Sequence, residues 1–165
     1  MKQMKSSEVE IVVMNRDMIE KYEEEKDHIV ISIHDPYDTP AKMPKNESRL
    51  DTLHLKFHDW DDQAKFKLQH EFSNSPTAKK MVFVSKADAR KIVKFVRFYD
   101  GTVDKIICQC DAGISRSSAV AAALAHCLGE DDEVFFKRYI PNRRVYRLIL
   151  DEWYKGEEAW DALHR

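Results

Sequence analysis

Residues 103–128 read VDKIICQCDAGISRSSAVAAALAHCL. An apolar run from Val103 to Cys108 leads into the eight residues Cys110-Asp-Ala-Gly-Ile-Ser-Arg-Ser117, and these lead into a helix-forming stretch from Ser117 to Leu128. Cys110 and Arg116 are separated by five residues with Gly113 among them, which lets the backbone curl until successive N–H groups point inward, while the following helix adds its partly positive N-terminus. Such a loop cradles an oxyanion, with Cys110 at its base and Asp111, Ala112, Gly113, Ile114, Ser115 and Arg116 around the ligand. The order strand, cradle, helix predicts an α/β domain with the loop at the carboxyl end of a strand, where open sheets place ligands.

The residue types fit the chemistry of phosphate. A cysteine that faces inward N–H groups, a helix N-terminus and a guanidinium is placed to act as a thiolate nucleophile. Arg116 offers a planar fork for two non-bridging phosphate oxygens, a grip that lysine does not reproduce. The Ser117 hydroxyl is positioned to donate to the Cys110 sulfur and make it a better leaving group. As mere structure the loop would be a small buried cysteine, a turn glycine and a solvated arginine. An arginine in the first turn of a helix is unfavourable beside the dipole, however, and that misfit itself argues for a neighbouring anion.

Cys110, Gly113, Arg116 and Ser117, set between a strand and a helix, resemble the signature of the cysteine-dependent protein tyrosine phosphatases, and the Ala-Gly-Ile-Ser-Arg-Ser wording is closest to the dual-specificity branch. These four residues at fixed offsets arise by chance in a chain of this length on the order of once in a thousand. The motif-level likeness covers residues 103–128, and a looser one, by order of elements, spans roughly residues 28–153. It implies a central, mostly parallel sheet flanked by helices, and metal-independent hydrolysis of phosphomonoesters through a phosphocysteine, with no cofactor. It also implies an aspartic acid, just past a strand upstream of the cysteine, that protonates the leaving group. The run His58-Asp59-Trp60-Asp61-Asp62 follows the strand-like Thr52 to Phe57, so Asp59 is the first candidate, with Asp61 and Asp62 as rivals that would otherwise cap the next helix. About fifty residues separate Asp59 from Cys110, longer than is usual for that branch, and Gln63 to Ser75 reads as an insertion over the site.

The chain departs from the family pattern at Gln109, where histidine usually precedes the nucleophile; glutamine hydrogen-bonds but brings no cation, which predicts lower activity or an optimum at higher pH. The resemblance implies a phosphorylated protein as substrate, phosphotyrosine first and phosphoserine or phosphothreonine also. The absence of lysine among the variable loop positions agrees with this, and Asp111 reads as repelling extra phosphates. Arg138, Arg143, Arg144 and Arg147 form a basic cluster that is either beside the site or a solvated helix face. Two alternatives use the same cradle: a non-catalytic phosphate-binding pseudo-phosphatase, favoured by Gln109, and an RNA 5′-phosphatase.

Outward from the loop, Val9 to Met14 and His28 to Ile33 read as strands about a helix-favouring Arg16 to Lys26, a βαβ-like opening that adds little to the resemblance. Asp35-Pro36, Thr39-Pro40 and Met43-Pro44 punctuate a loop. Ser85 and Asp88 form a capping box before a helix with Ala89, Ile92, Val93, Val96 and Tyr99 at helical spacing, stopped at Asp100-Gly101. Asp131 to Tyr139 and Pro141 to about Tyr154 read as two further helices.

The chain has 165 residues, 43% hydrophobic and 34% charged, with 27 Lys and Arg against 29 Asp and Glu. That suits one domain spanning 1–165, and the balanced charge argues against a nucleic-acid partner. No apolar run is long enough to span a membrane and the start lacks a signal-peptide core, so a cytoplasmic location is expected. Cys108, Cys110 and Cys127 have no disulfide-framework spacing, and no second Cys or His pair completes a metal site, so no metal is expected. Cys127, beside Leu124 and Leu128, reads as core.

Overall fold

The computed structural model describes residues 9–71, 74–76 and 80–163. Within these, four strands form one sheet: β1 (Glu10–Met14), β2 (His28–His34), β3 (Arg49–Lys56) and β4 (Lys105–Gln109), in the order β1-β4-β2-β3 with every pairing parallel. β2 and β4 lie in the middle and are buried along their whole length, Ser32, Lys105 and Gln109 included, whereas edge strand β3 is mostly exposed or half-buried. Ser32 stands opposite Gln109 and Ile31 opposite Cys108, which brings the ends of β2 and β4 together at the carboxyl edge of the sheet.

The two faces are covered unequally. One packs Ile29, Ile31, Ile33, Ile106 and Cys108 against α3 (Lys86–Phe98), α4 (Arg116–Cys127) and α6 (Arg143–Leu163). The other packs Val30 and Ile107 against Met14, Ala41 and Ile19, the last on α1 (Arg16–Glu20). α4 is alanine-rich and buried from Arg116 to Ala125, so the small side chains let it lie close under both the sheet and α6. No helix among the described residues is long and apolar enough to cross a membrane.

Several element limits differ from the sequence reading. α1 stops at Glu20, because Tyr22 and Glu24 turn onto the Lys105 ammonium at 3.0 and 2.7 Å instead of continuing the helix. α2 (Asp62–His70) fills most of the stretch read as an insertion, of which residues 72–73 lie outside those described. α5 (Glu133–Arg138) is shorter than Asp131 to Tyr139. α6 continues past Tyr154, through Gly156 to Leu163. The Ser85 and Asp88 capping box forms in both directions.

Candidate active site

The eight-residue loop sits where β4 meets α4. Gly113 has φ +66°, and a Cβ there would lie 2.9 Å from the Asn15 backbone nitrogen, so both the conformation and the close approach require glycine. The loop is braced from β1 and α1, elements that add little to the resemblance. Cys110 N–H donates to Met14 O (3.4 Å) and Arg16 N–H to Asp111 O (3.1 Å). The Arg16 guanidinium then reaches Asp111 Oδ1 (3.3 Å), Thr39 O (3.0 Å) and Pro40 O (3.2 Å), joining α1, the catalytic-type loop and the segment after β2. Asp111 is thereby paired with a cation, and its expected repulsion of extra phosphates is largely cancelled.

Cys110 is almost wholly buried, with Sγ 3.0 Å from Ser117 Oγ. Ser115 stands at the N-cap of α4 but makes no capping bond to the helix. Its hydroxyl donates to Asp59 Oδ1 at 2.7 Å instead, which leaves the first N–H groups of α4 to a ligand. Arg116 is also buried, and one nitrogen, Nη1, makes both of its bonds: to Asp35 Oδ1 (2.7 Å) and to Phe57 O (2.8 Å). Nε and Nη2 have no protein partner among the described residues, so the edge of the guanidinium that grips an oxyanion remains free.

The three candidate carboxylates separate cleanly. Asp61 is the N-cap of α2 and accepts from Ala64 N–H at 2.8 Å. Asp62 is paired with Arg144 (2.7 Å) and Arg147 (3.0 Å), and Arg144, with Arg147 behind it, holds its carboxyl below the ordinary range. Asp59 alone of the three bonds to the loop: Oδ1 accepts from Ser115 Oγ and, at 2.9 Å, from Asn142 Nδ2, while Oδ2 has no protein partner among the described residues. A cleft of about 330 Å³ runs beside it, between Asp61, Ser115, Ile140, Asn142 and Arg143. Of the arginines read as a basic cluster, Arg144 and Arg147 belong to Asp62, Arg138 lies over Tyr139, and Arg143, over Phe136, reaches the cleft.

Asp35 and Asn142 went unnoticed in the sequence. Asp35 directly follows a buried strand and Asn142 follows a proline at a helix start, where it accepts from Val145 N–H (3.1 Å), but neither signal distinguishes a site residue from a turn or a cap. Gln109 is fully buried and accepts from Ser32 Oγ across the β2–β4 pair. Burial pushes the Cys108 thiol far up and Cys127 to about 12, as inert core thiols behave. Among the described residues no group of three His, Cys, Asp or Glu is arranged to hold a metal ion.

A parallel sheet delivers the C-x₅-R loop from a buried strand into the N-terminus of a buried helix. Among solved structures, the chain is similar to PTPMT1 in complex with PI(5)P, at a TM-score of 0.51 and 13% identity, over 88% of this chain and 91% of that one. A second PTPMT1 structure gives a TM-score of 0.49 at 15% identity, over 93% and 94%. At such identities the likeness is one of fold. No family model and no curated protein matches the chain.

Proposed function

We propose that the chain hydrolyses phosphomonoesters through a phosphocysteine on Cys110. The observation that carries this reading is the division of labour around Arg116: Asp35 and Phe57 O hold Nη1, Nε and Nη2 have no protein partner among the described residues, and the buried Cys110 of the same loop has its sulfur 3.0 Å from Ser117 Oγ. In the first step Sγ attacks phosphorus, the bond from phosphorus to the leaving oxygen breaks, and a proton held on Asp59 Oδ2 passes to that oxygen. In the second, water attacks the phosphocysteine, its proton returns to Asp59, and the sulfur departs as a thiolate that accepts from Ser117 Oγ. Arg116 and the loop N–H groups hold the equatorial oxygens in both steps, answering the charge with no metal.

Phosphotyrosine in a protein is the substrate that the rim supports best. The loop has no lysine, Arg144 and Arg147 are occupied by Asp62, and exposed Ile114 and Ile140, joined by the bond from Ile140 N–H to Ile114 O (3.2 Å), offer an apolar wall to a ring. A phosphoinositide is the second reading, favoured by the PI(5)P in the PTPMT1 structure and by the pairing of Asp111 with Arg16.

The test is hydrolysis of an aryl phosphate in excess EDTA. Wild-type turnover should be insensitive to chelation and abolished in Cys110→Ser. Asp59→Asn should lower kcat by roughly 10²–10⁴ for leaving groups of high basicity. Folded wild type that binds vanadate without turnover would replace this reading with a phosphate-binding module. Comparing kcat/KM on phosphotyrosine peptides with that on dispersed PI(5)P then separates the two substrates.

A further inference from the structure

We propose a second anion site, in the cleft between α3 and α6, that takes a ligand carrying two or more phosphate groups. The cleft has a volume of about 290 Å³ and is lined by Arg90, Lys94 and Arg97 from α3 and by Glu152, Lys155 and Gly156 from α6. It lies about 20 Å along α6 from the helix start beside the catalytic loop, judged by 1.5 Å per residue from Arg143 to Gly156, so it is separate from the Cys110 site.

Its charge is uncompensated. Glu152 is the one carboxylate in the lining and belongs to Arg90 at 3.6 Å. Neither Lys94 nor Lys155 has a carboxylate partner among the described residues, and Arg97 has none within ion-pair distance. Three cations around one small cleft repel one another and normally spread apart into water; here the arginine among them is fixed. Its guanidinium lies 4.4 Å over the Trp153 ring, Nη2 donates to Trp153 O at 3.1 Å, and Nε is buried without an acceptor. The side chain has therefore already lost most of its rotational freedom, which lowers the entropic cost of gripping a ligand.

Gly156 keeps the cleft open. Glycine inside a helix costs about 0.5–1 kcal/mol relative to alanine, and α6 runs straight through it. A Cβ at that position would stand 3.0 Å from Arg97 Nη1, so a side chain there would crowd the guanidinium in the lining of the cleft. Its φ is not in the left-handed region, so the backbone gives no reason for glycine, and the close approach of the Arg97 guanidinium does. One fixed guanidinium flanked by two mobile ammonium groups suits clustered phosphates: Arg97 Nη1 donates to an oxygen of one group and the lysines reach the next. A soluble polyphosphate and a phosphorylated lipid headgroup share that chemistry.

The catalytic loop also binds oxyanions, so the test is made in an Arg116→Ala background, by calorimetric titration with tripolyphosphate. Binding should persist there, weaken with salt, and fall by about tenfold or more in Lys94→Gln/Lys155→Gln, whose exposed side chains leave the core intact. Gly156→Ala should weaken it as well. Absence of binding in the Arg116→Ala protein, or equal affinity in both cleft variants, would overturn the site. Co-sedimentation with phosphatidylcholine vesicles containing a phosphoinositide, lost in the double-lysine variant, would identify a lipid headgroup as the ligand; tripolyphosphate binding without co-sedimentation would identify a soluble one. The readout is binding, so the result stands or falls independently of turnover at Cys110.

Discussion

At the scale of single residues the site depends on who holds Arg116. Asp35 is half-exposed and accepts from the buried guanidinium at 2.7 Å, fixing its plane so that the other edge faces the loop. Asp35→Asn keeps an acceptor but removes the charge, and should lower kcat/KM and raise the dissociation constant for vanadate by about tenfold each, the size of a charge-assisted bond reduced to a neutral one. Parallel vanadate titration and thermal melts check this: a matched loss of affinity with unchanged Tm marks a positioning role. Gly113 is the second such residue. Gly113→Ala forces a side chain into positive φ and onto the Asn15 backbone, and should destabilise the chain by roughly 1–3 kcal/mol, measured by urea unfolding.

At the scale of elements, α2 and α6 give Asp61 and Asp62, the sequence rivals of Asp59, partners of their own. Asp61 spends its side chain on the Ala64 N–H and Asp62 on two arginines of α6, so the helix start and the packed helix between them leave Asp59 to the loop. Asp61→Ala should therefore cost about 1 kcal/mol of stability, the worth of an N-cap, with kcat on an aryl phosphate retained. A kcat loss equal to that of Asp59→Asn would return Asp61 to contention as the acid. The elements themselves were largely legible. Strand β4, the loop and α4 show in the sequence because strand, turn and helix preferences are local and agree with one another there. The lengths of α1 and α6 were not legible, since α1 is cut short by the pull of Lys105 on Tyr22 and Glu24, and α6 is carried past Gly156 by packing against α3 and α4.

At the scale of the whole molecule, that same Lys105 ties the start of β4 to the segment after α1. The hydrogen bond from Lys105 Nζ, helped by the Lys26 backbone N–H, holds the Glu24 carboxyl at about 2. A carboxyl held down in the fold contributes stability that is complete above its ordinary range and fades as pH falls toward the lowered value. The stability advantage of wild type over Glu24→Gln should accordingly be constant near neutrality and shrink as pH drops from about 5 toward 2, read from chemical denaturation at a series of pH values. An advantage that grew on acidification would contradict the pairing. The molecule also has two cationic features of different kinds, Arg116 held by Asp35 at the carboxyl edge of the sheet and Arg97 laid on Trp153 between α3 and α6.

By itself the sequence determined the α/β class and marked the loop from Cys110 to Ser117 and the list Asp59, Asp61 and Asp62, led by Asp59, because each is written in neighbouring residues whose spacing fixes their geometry. Only the tertiary structure set Asp59 against Asn142, brought Asp35 to Arg116, and turned Asp111 toward Arg16. The partners in those contacts lie about eighty or more residues apart along the chain, and their meeting depends on how strands β1 to β4 align at one edge of the sheet, which no local pattern records.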